Sequence, residues 1–527
     1  MDAYEAIIPY FPNSVTGFRK FLSKSYISFI FTKSRYGMIE KNSPEVFHMR
    51  IQLDMTPKHT ISPYLFMQFA EPLGTADASV DAGWDYLNEC WHPKLVDKIR
   101  ELGPSMIRWG GCFASYYHWR EAVGPRDARV PMLNLCWDGI YSNQVGTHEV
   151  AELCRMVGAE PLMVVNMESD GRMHWAYPKP GMDRLGTAEE AAAWVRYAND
   201  PEDALRLSHG VKEPYNIRWW QIGNETSYDR RGFDCETAVR KTMEFADAML
   251  EADPSVHLLA WGDSGWAPRM CEALGDRVSH IAFHHHFGKG DENSPLYGTE
   301  YRKDPERTWQ YLMTYARDTL EERIAQIREE VKPYGKRLAM TEGHYTLAGR
   351  NRCEVLSSWG AGVAYARCLS VIERASDILD IATLADFFGN RWQVNALMLP
   401  TPIRDGNAYL QPVGEVMKLF SHHIGTHALN CSLSDTGGMT VDVNASISAD
   451  GQTVYLHLVN VSRLEDCRIG LSGLPENAQI TAYEIAHDMA EEITPLNPRI
   501  FNPVEKMVSG TEYLLPAAGV AALEIRI

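Results

Sequence analysis

Eight short apolar runs, each followed by a stretch with helical spacing, constrain the fold of this 527-residue chain more than any other feature. Such alternation is typical of βα units on a parallel sheet, and eight units predict a (β/α)8 TIM barrel, with an open doubly wound sheet as the alternative. The predicted strands are Tyr64–Ala70, Ser105–Trp109, Pro161–Asn166, Ile217–Gly223, His257–Trp261, Val278–Phe283, Leu338–Thr341 and Asp380–Leu384. The helical stretches between them include Thr147–Val157, Ala188–Ala198, Thr237–Glu251, Pro305–Val331 and Glu354–Ala375.

After a helix near Val413–His422 the pattern changes to short strands separated by Gly, Pro, Asn and Asp. The candidates are Thr440–Ser446, Thr453–Val459, Ile480–Glu484 and Ala521–Ile527. Strands without intervening helices predict an antiparallel β-sandwich, which the alternating stretch Met49–Asp54 is expected to join. We therefore expect a strand joining the sandwich at 49–59, a catalytic barrel at 60–410, and a C-terminal helix with the β-sandwich domain at 411–527.

Residues 1–48 differ from the rest because they are basic and lack a sustained hydrophobic period. We expect a poorly packed N-terminal extension. A related hypothesis is that translation begins at Met38 or Met49, which mass spectrometry of the natively expressed protein would test.

The charge balance of the chain disfavours several classes of partner. The chain has 51 basic and 69 acidic side chains, a net charge of −18, which disfavours nucleic acid and anionic membranes. No apolar run approaches the roughly 20 residues of a membrane span, and we expect a cytoplasmic protein. The ten cysteines show no paired spacing typical of zinc sites or disulfides, so we expect mostly buried, reduced thiols.

The strongest chemical signal is an apolar strand, Trp219–Ile222, that ends in Gly223, Asn224 and Glu225. In a parallel barrel the carboxyl ends of strands carry the catalytic groups. A carboxylic acid there can protonate a leaving oxygen, and the neighbouring amide can bind a sugar hydroxyl. The alternative is an ordinary acidic helix N-terminus, and this motif alone does not decide between them.

A second predicted strand, Leu338–Thr341, ends in Glu342 and Gly343. Counting units places Glu225 on strand four and Glu342 on strand seven, so the two carboxylates can face each other across the barrel mouth. Such a pair is the machinery of glycoside hydrolysis.

Ordered motifs along the chain resemble those of the arabinofuranosidases of glycoside hydrolase family 51. They are Phe69-Ala70-Glu71, Arg108-Trp109-Gly110-Gly111-Cys112-Phe113, Tyr117-His118-Trp119-Arg120 with Gly124-Pro125, Trp137, Asn143 with Gly146-Thr147-His148-Glu149, and Gly223-Asn224-Glu225. The resemblance covers nearly the whole chain after residue 50.

The resemblance implies a retaining enzyme that needs no cofactor, with Glu342 as nucleophile and Glu225 as acid/base. It implies a carbohydrate substrate, α-L-arabinofuranosyl groups on oligo- or polysaccharides, and a homo-oligomer, since members often form hexamers. It also implies a furanose pocket with Arg108 beside the nucleophile. The pocket residues it implies are Glu71, Arg108, Cys112, Trp137, Asn224 and His284. Trp137 and Cys112 have a plain alternative as core residues.

Four departures from the family pattern bear on substrate choice. The proline between Trp109 and Gly110 is missing, and Gly343 stands where the family has a tryptophan. His286 replaces a tyrosine that binds the nucleophile, and Asp386 replaces a substrate-binding glutamine. We therefore expect His286 and Asp386 to bind substrate in a modified way, since an ionised carboxylate cannot donate a hydrogen bond.

Three alternatives remain open at this point. One is a related retaining glycosidase for a xyloside, galactofuranoside or glucoside, and another is a non-catalytic carbohydrate-binding protein on the same fold. The third is a metal site using His284, His286 and a carboxylate. We expect no metal, because the resemblance already accounts for His284.

Overall fold

The computed structural model describes residues 47–167, 184–228, 234–288, 293–346, 353–403, 406–435 and 440–527. The predicted N-terminal extension, residues 1–48, lies outside the described residues except for its last two, which begin the first strand. Among the described residues, no helix combines the length and the apolar character that crossing a membrane requires.

A curled, nearly closed sheet of parallel strands carries the predicted site. Its eight main strands pair with one another in chain order, and each corresponds to one predicted run. They are β2 (Gln68–Ala70), β3 (Met106–Trp109), β4 (Glu160–Val165), β5 (Trp219–Ile222), β6 (His257–Trp261), β7 (His280–Phe287), β8 (Arg337–Tyr345) and β9 (Leu379–Ala382). The backbone N–H of Met67 donates to the carbonyl of Ala382 over 2.8 Å, which brings the first and last of these strands together.

The edge at β2 carries three further strands that the sequence patterns did not predict. They are β10 (Asp386–Gly389), β11 (Asn395–Met398) and β12 (Tyr409–Leu410). Strand β10 pairs with β2 through Asp386 and Phe69, so Asp386 is held beside the first strand of the sheet.

Residues of five strands, together with Met67 just before β2, form an apolar cluster inside the curled sheet. Its members are Met67, Met106, Leu162, Leu259, Ala339 and Ile381. Strands buried on both faces explain why the eight runs are continuously apolar rather than alternating.

The described residues include ten α-helices, which supply the outer layer of the parallel sheet. They are α1 (Ser79–Gly83), α2 (Pro93–Leu102), α3 (Thr147–Val157), α4 (Ala188–Asn199), α5 (Ala204–Ser208), α6 (Cys235–Ala252), α7 (Ala267–Leu274), α8 (Pro305–Val331), α9 (Trp359–Arg374) and α10 (Pro412–His422). Short 3-10 turns occupy Cys112–Tyr116, Trp119–Ala122, Arg126–Ala128, Gly275–Arg277, Glu300–Arg302, Lys332–Tyr334 and Glu354–Ser357. The longest helix, α8, begins where the Asp304 side chain accepts from the N–H of Arg307 and proline stands at the first helical position.

A second, mostly antiparallel sheet of nine strands has its own apolar core. Its strands are β1 (Phe47–Asp54), β13 (His427–Ser434), β14 (Val441–Ile447), β15 (Thr453–Asn460), β16 (Cys467–Ser472), β17 (Gln479–Ile485), β18 (Val504–Val508), β19 (Glu512–Leu515) and β20 (Val520–Arg526). Strand β1 lies inside this sheet, antiparallel to β13 and parallel to β16. Two small ribbons complete the strands, Trp84–Asp85 with Cys90–Trp91 and Met132–Leu133 with Ile140–Tyr141.

Buried polar contacts from α9 join the two sheets. The Arg367 guanidinium pairs with Asp442 of β14 at 2.6 Å, and Trp359 Nε1 donates to the carbonyl of Ala518 over 2.8 Å. Because both contacts are buried, removing one partner of either would leave a buried polar group unsatisfied.

Two sequence predictions about element boundaries were wrong. The predicted helix Glu354–Ala375 is interrupted at Ser358, because the N–H groups of Trp359 and Gly360 donate to the distant carbonyls of Glu491 and Met489. The predicted strand ends at Phe283 and Thr341 are too early, since β7 and β8 continue as a pair to Phe287 and Tyr345 after a bulge.

Candidate active site

The two predicted catalytic carboxylates lie close together at the carboxyl end of the parallel sheet. One oxygen of Glu225, one of Glu342 and one ring nitrogen of His284 all lie within 4.8 Å of one another. Both glutamates are buried, with exposures of 6% and 5%. The prediction that strands four and seven present this pair therefore agrees with the geometry of β5 and β8.

Glu225 follows β5 and adopts a left-handed backbone conformation with φ of 51°. Its Oε1 lies 2.8 Å from Nδ1 of His284, and its Oε2 lies 3.7 Å from the Cys112 sulfur. Burial, together with the negative charge of Glu342, raises the pKa of Glu225 to about 7. At neutral pH a large fraction of Glu225 is therefore protonated and can act as an acid.

Glu342 lies within β8 and is held by a cation. Arg108 Nη1 donates to its Oε1 over 2.8 Å, and the Arg108 side chain is fully buried. Burial by itself raises the pKa of Glu342, but the neighbouring His284, His286 and Arg108 groups outweigh it and hold the pKa below its usual value. Glu342 is therefore ionised and suited to attack carbon.

Arg108 is fixed by two further acceptors. Its Nε donates to Gln221 Oε1 over 3.0 Å, and its Nη2 donates to Asn224 Oδ1 over 2.7 Å. Three acceptors therefore fix the plane of the guanidinium that faces Glu342. Gln221 was missed by the sequence analysis, although a polar residue inside an otherwise apolar strand is a usable signal.

His284 links the two carboxylates. Its Nδ1 lies 2.8 Å from Glu225 and 3.5 Å from Glu342, and its Nε2 lies 3.0 Å from Thr341 Oγ1. Burial lowers the pKa of His284 to about 3, although the charge of Glu342 opposes that shift. His284 and Arg108 both contact Glu342, and both lower its pKa.

Glu71 and Trp137 form one wall of the cavity. Glu71 Oε1 accepts from Trp137 Nε1 over 2.9 Å and from the Phe113 N–H over 3.0 Å. Burial and the charge of Glu342 raise the pKa of Glu71 well above its usual range. Gly111 is required here, since its φ is 107° and a Cβ would lie 2.2 Å from Glu71 Oε2.

Cys112 is buried and lines the same cavity as Cys136. The interaction with Cys136 and burial raise the pKa of the Cys112 thiol well above its usual value. Cys112 is therefore a neutral thiol beside Glu225.

Two residues that depart from the family pattern, His286 and Asp386, lie close to residues of β8. His286 Nε2 lies 3.8 Å from Glu342 Oε2, and its ring lies 4.6 Å from that of His344. Asp386 is 4% exposed and lies 3.7 Å from His344 Nε2. Burial and the charges of Glu342 and Asp77 raise the pKa of Asp386 well above its usual range.

Gly343 is explained by backbone crowding, because a Cβ there would lie 2.7 Å from the carbonyl oxygen of Thr383. Trp392, which the sequence analysis missed, lines the cavity and packs edge-on against Trp137 at 6.0 Å. Position 343 gives the cavity no aromatic side chain, whereas Trp392 gives it one from another segment.

Among the described residues, one group brings potential metal-binding atoms together, namely Glu225, His284 and Glu342. His286, which the metal hypothesis uses, is not in this group. Arg108 already contacts Glu342, so a bound cation would be repelled by the guanidinium. This arrangement favours an ion-paired carboxylate over a metal ligand.

Sequence comparison covers both sheets. Residues 98–303 match the family model for the alpha-L-arabinofuranosidase 1 domain, and residues 346–518 match that for the alpha-L-arabinofuranosidase C-terminal domain. Both models describe alpha-L-arabinofuranosidase domains, which supports a divergent member similar to glycoside hydrolase family 51.

Curated relatives match part of the chain. Alpha-L-arabinofuranosidase C from Emericella nidulans is 33% identical over 215 residues, which is 39% of this chain and 40% of that protein. The intracellular exo-alpha-(1->5)-L-arabinofuranosidase from Acetivibrio thermocellus is 31% identical over 252 residues, 44% of this chain and 47% of that protein. The matched segment thus spans less than half of either relative.

Solved structures share the fold over almost the whole chain. The alpha-L-arabinofuranosidase from Thermotoga maritima, an arabinose complex, gives a TM-score of 0.73 at 22% identity and covers 91% of this chain and 100% of its own. The family 51 enzyme from Thermotoga petrophila gives 0.73 at 23% identity, covering 90% and 99%. The arrangement of the two sheets is therefore that of family 51 structures.

Proposed function

We propose that this protein is a retaining glycoside hydrolase that removes terminal α-L-arabinofuranosyl residues from oligo- or polysaccharides. The observation that carries the proposal is the buried pair of Glu225 and Glu342, in which one oxygen of each carboxylate lies within 4.8 Å of one oxygen of the other. Retaining enzymes place the two carboxyl groups about 5–5.5 Å apart, whereas inverting enzymes leave about 6.5–9.5 Å for a water. The opposite pKa directions of the two groups match one acid and one nucleophile.

The first step is displacement of the leaving group. A Glu342 oxygen attacks the anomeric carbon while the carbon–oxygen bond to the leaving group breaks, and Glu225 transfers its proton to the departing oxygen. Arg108 orients Glu342 and offsets the charge of its free form. The products of this step are a glycosyl ester on Glu342 and an ionised Glu225.

The second step is hydrolysis of that ester. Glu225 accepts a proton from water, the water oxygen bonds to the anomeric carbon, and the bond to Glu342 breaks. Glu225 ends protonated and Glu342 ends ionised, so the resting state is restored. Two inversions leave the sugar with its original configuration.

The remaining predicted pocket residues surround the position that the sugar would take. We propose that these residues bind the furanose, namely Glu71, Cys112, Trp137, Asn224, His284, His286 and Asp386. All except Trp137 and His286 are less than 10% exposed, and all except Asn224 line the cavity. The raised pKa of Asp386 supports a donor role there, as the family's glutamine would supply.

The finer description of the fold belongs to the same proposal. We propose a complete (β/α)8 barrel at 60–410 and a β-sandwich at 411–527 that takes residues 49–59 as a strand. The bond between Met67 and Ala382 supports closure of the barrel, and the position of β1 between β13 and β16 supports the sandwich. A cytoplasmic location is proposed from the name of the intracellular relative, and the hexamer stays a prediction.

A screen of aryl glycosides tests the activity. We expect cleavage of the α-L-arabinofuranoside, and loss of it in Glu342→Gln. The matched control is Glu415→Gln, which removes another buried glutamate, in α10 and paired with Lys418. Turnover of only the β-D-xyloside, β-D-galactofuranoside or β-D-glucoside would replace the proposed sugar, and no turnover of any would favour the carbohydrate-binding alternative.

A further inference from the structure

A second cavity, separate from the one that contains the carboxylate pair, lies where the two sheets meet. Its volume is about 320 Å³, at the lower end of the roughly 300–1,000 Å³ typical of small-molecule sites. Its walls come from the segment before the parallel sheet, the last turn of α9, and strands β13, β14 and β15. No residue lines both cavities. A molecule bound here would therefore not be the sugar that reacts.

The buried side of this cavity carries a ring nitrogen without a partner. His457 is 2% exposed, its Nδ1 lies 2.6 Å from Glu373 Oε1, and its ring stacks on Phe420 with centroids 3.9 Å apart. Because a carboxylate accepts, Nδ1 carries the proton in this contact. Among the described residues, no atom forms a hydrogen bond with His457 Nε2. An unpaired nitrogen on an otherwise fixed side chain indicates a polar partner from outside the chain.

The chemistry of this nitrogen favours a hydroxyl group. Nε2 accepts a hydrogen bond when the ring is neutral and donates one when the ring is charged. A hydroxyl serves in either case, because it both donates and accepts. Asn444 and Ser446 also line the cavity, and their spacing of two residues places them on one face of β14. These polar groups suit a ligand that carries several hydroxyls.

Two basic side chains lie at the exposed side of the cavity. Lys58 and Arg374 both line it, and both are exposed. Within the described part of the chain, no carboxylate forms an ion pair with Lys58, and the ion-pair partner of Arg374 is Glu321 at 3.8 Å. The carboxylate in the wall itself, Glu373, already contacts His457. The excess of positive charge favours a ligand with an anionic group.

We propose that this cavity, here called the junction site, binds a small hydroxylated anion the size of one sugar ring, with a carboxylate or a phosphate group. The anionic group lies against Lys58 and Arg374, and a hydroxyl pairs with His457 Nε2. Because its walls come from both sheets and from α9, the bound ligand stabilises the folded state. The residues of the junction site are Lys58, Glu373, Arg374, Asn444, Ser446 and His457.

Titration calorimetry with four probes tests the junction site. D-glucuronate and D-glucose 6-phosphate carry the anion and the hydroxyls, D-glucose lacks the anion, and acetate lacks the hydroxyls. We expect glucuronate, glucose 6-phosphate or both to bind at least about tenfold more tightly than glucose and acetate, which corresponds to one charge-assisted hydrogen bond. The tighter of the two hydroxylated anions identifies the anionic group. It should also raise the melting temperature of the protein.

Lys58→Glu should weaken binding of the preferred anion by at least about tenfold, because it reverses a charge at the site. Lys58 is exposed, so the variant should fold, and it should cleave arabinofuranosides like the wild type. Lys212→Glu is the matched control, since Lys212 is also exposed and lies outside the cavity.

Three results would overturn the junction site. They are no binding of either hydroxylated anion, equal affinity for glucose, and an affinity that Lys58→Glu leaves unchanged. None of them bears on Glu225 and Glu342. Failure of the protein to cleave arabinofuranosides would overturn the proposed function without affecting the junction site.

Discussion

The ends of β5 and β8 look alike in sequence but create different chemical environments. Each offers a glutamate after an apolar run, and both glutamates are buried. Glu225 has left its strand, has a left-handed φ, and contacts an imidazole and a thiol. Glu342 remains in a strand and faces a guanidinium.

This comparison shows that the partner, rather than burial, decides the protonation state. Burial opposes ionisation at both positions, but only Glu342 has a buried cation at 2.8 Å. The charge on Glu342 in turn helps to keep Glu225 protonated. His284, His286 and Arg108 together lower the pKa of Glu342, which separates the roles of two identical side chains.

The largest expected effect is loss of the nucleophile. Glu342→Gln should reduce kcat by at least about 10⁴-fold on every arabinofuranoside, because no other group can form the glycosyl ester. Steady-state kinetics with an aryl and a sugar leaving group would measure it. A loss that depended on the leaving group would give Glu342 the role assigned to Glu225.

A smaller and selective effect is expected for the acid. Glu225→Ala should reduce kcat/KM for oligosaccharides by about 10²–10⁴-fold. Aryl arabinofuranosides with strongly acidic phenols should keep a much faster first step, because their leaving oxygen needs no proton. Pre-steady-state kinetics would detect this as a burst followed by slow hydrolysis, and equal losses on both substrate classes would contradict the assignment.

The pH profile should also reflect the different pKa values of Glu225 and Glu342. Glu225 must be protonated in the first step, so kcat/KM for an oligosaccharide should fall as pH rises through about 7. Glu342 should cause no decline at mildly acidic pH, since its pKa is below the usual value. Glu225→Ala should remove the alkaline decline, and its persistence in that variant would mean that another group controls it.

Much of the parallel sheet was predictable from sequence, because strands buried on both faces read as continuous apolar runs. The second sheet was less predictable from sequence. Strand β18 lies at one edge and is largely exposed, so it lacks an apolar signature. Strand β19, at the other edge, has only four residues, of which Tyr513 and Leu515 are buried. The extension of β7 to Phe287 depends on pairing with β8 after a bulge, which local sequence does not reveal.

The site likewise contains residues that were predictable from sequence and residues that were not. Glu225 and Glu342 were predictable because each follows an apolar run at the catalytic end. Asp263 also follows such a run, β6, and the same rule would have found it. His344 and Trp392 were not predictable, since they reach the cavity through the β8 extension and through a separate segment.

Identifying the residue that carries the sugar is the most direct test of the central claim. The Glu225→Ala variant would be mixed with an aryl α-L-arabinofuranoside that has a strongly acidic phenol, quenched within the burst, digested and mapped by mass spectrometry. The division of roles predicts one pentosyl group, attached to the peptide carrying Glu342 and absent when Glu342→Gln is added. A pentosyl group on any other residue, or rapid turnover without a trapped ester, would contradict the account.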